Sequence, residues 1–101
     1  MPYIKSNRRP PIDSATKELM SHVENEGDLN YAITKMLFSY IRQKGLSYSI
    51  CNTLMGVLSC VSLEFYRRIV SPYEDKKIKE NGDISLDLEG IGGEDNESSI
   101  T

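Results

Sequence analysis

The chain has no tryptophan, two cysteines, one histidine and only two phenylalanines among 101 residues. Cys51 and Cys60 lie nine positions apart in a helical pattern. That spacing sets them about 180° apart around a helix and roughly 13 Å along it, which excludes a disulfide between them. They read as free, partly buried thiols. A lone His22 with two dispersed thiols gives no metal-ligand spacing and no nucleophile–base pairing. Glu74 and Asp75 are adjacent acids at an expected helix start, where the dipole favours their ionised form and unsuits them for general-acid work. An enzyme is therefore not expected, nor a cofactor.

No apolar run approaches the roughly 20 residues of a membrane span. The opening Met1-Pro2-Tyr3-Ile4-Lys5 lacks the apolar segment of a signal peptide, so a cytoplasmic protein is expected. Basic residues are also missing from one end. From Gly82 onward there are six acids and no lysine or arginine, leaving 12 basic against 9 acidic residues before it. The body is mildly basic and the end acidic; such an end keeps a protein soluble, screens the body or competes with anionic ligands.

What is present is helical periodicity. Residues 1–11 read as an extended basic arm, with Pro2, Pro10 and Pro11 opposing helix. A short helix is expected from Asp13 or Ser14 to about Glu24–Gly27. A second begins with Asp28 as N-cap; Leu29, Ala32, Ile33, Met36, Leu37, Tyr40 and Ile41 form its apolar stripe, and Gly45 stops it. A third runs from Ser47 to about Val70 on Ile50, Leu54, Val57, Leu58, Val61, Phe65 and Ile69. Ser71-Pro72-Tyr73-Glu74 reads as a capping box opening a fourth helix, stopped at Asn81-Gly82. Pro72 is expected to end or kink the third. Ile84, Leu86 and Leu88 alternate with polar residues, as in one short strand or extended segment.

The expected fold is all-α: an antiparallel hairpin of two long helices (12–84 with two short flanking helices), a basic arm over 1–11 and an acidic flexible tail over 85–101. So small a core is marginal. The third helix is apolar around more than half its girth, with a line of small residues, Asn52, Gly56, Ser59 and Cys60, between its sides and Met55 and Leu63 off the main stripe; Asn52, Gly56, Ser59, Met55 and Leu63 stand out. These five are the expected interface of a homo-oligomer.

Two constellations suit a ligand. Tyr66, Arg67, Arg68, Tyr73, Lys76 and Lys77 surround the expected helix start at Ser71, an arrangement able to grip a nucleotide-like anion. The bland alternative is local helix pairing, Glu64 with Arg68 and Asp75 with Lys79. Tyr31, Lys35, Phe38 and Arg42 interleave aromatic and basic groups on the outer face of the second helix, suited to an anion, an acidic partner or packing under another segment. The arm's Lys5, Arg8 and Arg9 suit a phosphate backbone or simply drape over their own domain, so nucleic acid is a weak candidate.

Met1-Pro2-Tyr3-Ile4, Gly27-Asp28-Leu29-Asn30-Tyr31-Ala32-Ile33-Thr34, Glu64-Phe65-Tyr66-Arg67-Arg68, Pro72-Tyr73-Glu74-Asp75-Lys76-Lys77 and Asn81-Gly82-Asp83 together resemble a family of small uncharacterised proteins from bacteriophage, prophage and gut-metagenome sequences. The resemblance covers about residues 1–84. It implies a phage or mobile-element origin and carries over no functional residues. In that setting the expectation is a non-enzymatic homo-oligomer that interferes with a host defence system, binding a nucleotide-like anion or a host protein in the host cytoplasm. The alternatives are a phage structural or assembly protein and an acidic nucleic-acid mimic.

Overall fold

A computed structural model describes residues 1–86, and everything regular in it is helical. A 3-10 turn, Ser6–Arg8, leads into α1 (Arg9–Met20). Then follow α2 (Glu26–Lys44) and α3 (Tyr48–Phe65), a π-helical turn (Tyr66–Val70) and α4 (Ser71–Asn81). The all-α expectation holds.

Several boundaries differ from those expected, each for a local reason. The arm carries no regular element only as far as Lys5, and α1 starts at Arg9 instead of Asp13 or Ser14. Pro10 and Pro11 sit in its first turn, where backbone N–H groups have no intrahelical acceptor, so their missing donors cost nothing. The helix ends at Met20, where Ser21 Oγ donates to the Glu18 carbonyl at 2.6 Å. The N-cap of α2 is Asn25, not Asp28: its side chain accepts from the Asp28 N–H at 2.9 Å. Asp28 reaches back and accepts from the Glu24 N–H at 3.0 Å. With both partners supplied by the turn, Gly27 is inside the helix rather than a break.

Gly45 ends α2 with φ 89°, a left-handed value that glycine alone adopts freely. Ser47, where the third helix is expected to begin, caps α3, accepting from the Ile50 N–H at 3.1 Å.

The largest difference lies at Pro72. α3, the π turn and α4 form one helix of 34 residues, Tyr48–Asn81. Ser71 is helical (φ −61°, ψ −48°), so no capping box forms and no helix starts there. Proline in a helix lacks a donor and its ring meets the carbonyl four residues back. The π turn resolves this by widening one turn, with the Ser71 N–H bonded to the Tyr66 carbonyl five residues back. Gly82, with φ 88°, ends the helix. No strand forms at Ile84 and Leu86, both exposed, and Leu88 lies outside the described residues.

Packing is sparse. α2 and α3 touch, while the backbone of α1 approaches neither. Among the described residues only Ala32 and Leu54 are buried. The radius of gyration is 20.0 Å, where a compact chain of this length has about 13 Å. The surface is 9282 Å², against about 5,800 Å² for a compact monomer of this mass. Even if residues 87–101 took the full surface of an unfolded stretch, the rest would expose roughly 1,900 Å² more than a compact body of its size.

Candidate functional site

The tyrosine- and arginine-rich stretch after Glu64 occupies the middle of the 34-residue helix, and most of its polar groups find partners within the chain. Arg67 Nη2 donates to Glu64 Oε1 at 2.8 Å and to the Tyr3 hydroxyl at 3.1 Å. The Tyr3 hydroxyl in turn donates to Glu64 Oε1. The three groups thus form a closed latch that holds the N-terminal strap, Met1–Ile4, against α3. The hydrogen bond from Tyr3, joined by the Arg67 guanidinium and opposed by partial burial, holds the Glu64 carboxyl below its usual range.

Across the π turn, the Tyr66 hydroxyl donates to Glu74 Oε1 at 2.8 Å. That bond and the nearby Glu74 and Asp75 charges push the Tyr66 hydroxyl up. Two ordinary turns take about 7.2 residues; the extra residue in the π turn stretches this to about eight, which brings positions 66 and 74 onto one face. Lys77 Nζ pairs with Glu80 at 3.1 Å and stands 5.5 Å over the Tyr73 ring. The ion pairs of this stretch are Glu64–Arg67, drawn together in the latch, and Lys77–Glu80, not the expected Glu64–Arg68 and Asp75–Lys79.

The expected anion site rested partly on free N–H groups after Ser71. That component is absent, since the helix runs through and the Ser71 N–H is bonded. Tyr66, Arg67, Tyr73 and Lys77 are engaged internally. Among the described residues, Arg68 and Lys76 make no ion pair. Tyr31 and Lys35 lie elsewhere, lining a groove of about 540 Å³ with Leu19, Val23, Ala32 and Met36. Phe38 is 61% exposed, and no described segment covers it.

A second groove, of about 410 Å³, lies between the strap and α3. Met1 and Pro2 form one wall, Val57, Val61 and Phe65 the apolar floor, and Arg68 closes one end. Cys60 lines it too, and both thiols are exposed rather than partly buried. Sequence reasoning missed this groove because nothing in Met1-Pro2-Tyr3 states where an extended segment lands; the one signal was an isolated tyrosine in an otherwise basic arm. Asn52, Met55, Gly56, Ser59 and Leu63 are all exposed on α3. No three metal-ligating side chains come together among the described residues.

A family model described as a domain of unknown function (DUF6899) matches residues 1–84. No curated protein and no solved structure matches the chain. The chain belongs to the DUF6899 family, and the match takes in the strap, all four helices and the Gly82 stop.

Proposed function

We propose that this chain is a non-catalytic helical subunit that acts by protein contact, first with copies of itself. The supporting observation is the burial pattern: among the described residues a single copy buries Ala32 and Leu54 and leaves Met55, Val57, Val61, Leu63, Phe65 and Ile69 about half or more exposed on one helix. At about 25 cal/mol per Å², apolar surface of that extent opposes the free monomer strongly. Copies meet along the Asn52, Met55, Gly56, Ser59 and Leu63 face, where small residues admit a close helix approach, and α2 and α3 pair as an antiparallel hairpin within each subunit.

Against the expectation that no apolar run reaches the length of a span, the 34-residue helix is long and apolar enough, by length and composition, to cross a membrane. Polar Asn52, Ser59, Ser62 and Glu64 spread around its girth favour protein over lipid as cover, consistent with a cytoplasmic assembly. In the phage setting implied by the sequence resemblance, such an assembly acts on a host system, most simply a defence protein, or serves virion assembly. The internal pairing of Arg67, Tyr66 and Lys77 favours a protein partner over a nucleotide-like anion. Arg68 and Lys76 carry the anion reading that remains.

Sedimentation at micromolar concentration tests the assembly. An oligomer is expected, a monomer refutes the proposal, and co-flotation with anionic vesicles assigns the exposed helix to lipid instead. Calorimetry with linear and cyclic nucleotides is expected to show no binding tighter than about millimolar; tighter binding lost in Arg68→Glu restores the anion site.

A further inference from the structure

We propose that the groove between the N-terminal strap and α3 is a second self-interface, in which the α3 of another copy packs antiparallel about a two-fold axis near Val61. This rests on the assembly reading above and adds a contact distinct from the Gly56 face. The groove floor continues the apolar stripe that begins at Ile50, Leu54 and Leu58. Those three are buried or half-buried, whereas Val57 is 48%, Val61 58% and Phe65 58% exposed. The covered part of the stripe therefore runs directly into an uncovered part.

Two observations point to a second copy as the occupant. The first is charge. Between Tyr48 and Phe65 the only charged residue is Glu64, and the latch with Tyr3 and Arg67 already satisfies it. Arg68 also lines the groove, but an axis near Val61 sets its two copies about 20 Å apart along the helices, so laying this face on itself brings no like charges together. The second is area. The described body exposes roughly 1,900 Å² beyond a compact body of its size, whereas a standard interface takes about 800 Å² from each partner. One self-contact leaves surface over, and a second accommodates it. A two-fold contact is also the commonest closed arrangement of identical subunits.

Cys60 lines the groove and Cys51 does not. About an axis near Val61, the two Cys60 residues lie within a few ångströms of each other along the helices, and the two Cys51 residues about 30 Å apart. The test is cross-linking of the full chain with a short bismaleimide at low micromolar concentration. The expected product is a covalent dimer that persists in Cys51→Ser and is lost in Cys60→Ser. Val61→Glu, at a site open enough to leave the single chain unaffected, is expected to lower the dimer yield at least tenfold by placing two carboxylates at the axis. Gly56→Leu, which targets the other face, is expected to leave it in place. An oligomer in sedimentation with no Cys60 product, or with a Cys51 product instead, overturns the groove contact and leaves the assembly reading standing. A monomer overturns both.

Discussion

Substituting Gly56 separates an interface from a bare helix surface by the sign of its effect. Gly56 lies in the middle of α3, and a Cβ built there meets nothing within 4 Å. In a single chain, Gly56→Ala therefore adds only helix propensity and a stiffer unfolded state. Both favour folding, together by about 0.5–1 kcal/mol. Gly56→Leu is expected to behave almost as well, because leucine follows alanine closely in propensity and its side chain meets open space. If another subunit packs on this face, the leucine stands where that backbone must lie. Assembly is then expected to weaken at least tenfold, or about 1.4 kcal/mol, with the alanine variant in between. Sedimentation over a hundredfold concentration range, with thermal unfolding at each concentration, reads both effects. The wild type is expected to melt higher as concentration rises, because binding to the folded form alone stabilises it by mass action. Gly56→Leu is expected to flatten that dependence. A Gly56→Leu protein that is more stable at every concentration, with an unchanged sedimentation coefficient, refutes the placing of an interface here.

The latch is expected to release in acid. Glu64 is held below its ordinary value of 4.5 in the folded chain, so its contribution is fully present above pH 4.5 and disappears as pH falls through the depressed value. The protection of the Ile4 amide, its exchange rate relative to the intrinsic rate at each pH, is expected to fall over that window; an Arg67→Ala variant showing the same profile as wild type would contradict the three-way latch. Because Glu64 is within the strap's own contact, the loss is expected to be local and the helices to remain. Pro72→Ala is expected to remove the need for the π turn, restore a regular α-helical register and part the Tyr66–Glu74 pair. The Tyr66 hydroxyl, now raised above 10.0, would then titrate closer to that value, a change visible by ultraviolet titration of tyrosinate. An unchanged titration would show that the π turn has another cause.

Much of the helical content was legible because its signals are local. The stripe from Leu29 to Ile41, the stops at Gly45 and Gly82 and the Ser47 cap depend on residues within a turn or two of one another. They appear in the structure as the sequence implies. The differences are also local in origin: proline opposes helix in general, yet Pro10 and Pro11 fill a first turn and Pro72 is absorbed by one widened turn. Composition likewise disclosed an apolar excess on α3, since the number of large side chains there exceeds what one neighbouring helix can cover.

The sequence by itself therefore determined the helices, two of their glycine stops and the surplus of apolar surface, all of which follow from short-range periodicity and counting. Only the tertiary structure decided where the strap lies and which partners the polar groups take. Tyr3 and Glu64 are 61 positions apart, and no periodicity links residues at that distance. Their meeting engages Arg67 within the chain and leaves Val57, Val61 and Phe65 open beside the strap. The choice among Arg67, Arg68 and their acidic neighbours turns on side-chain reach across three or four residues plus one remote hydroxyl, and that hydroxyl is placed by the fold.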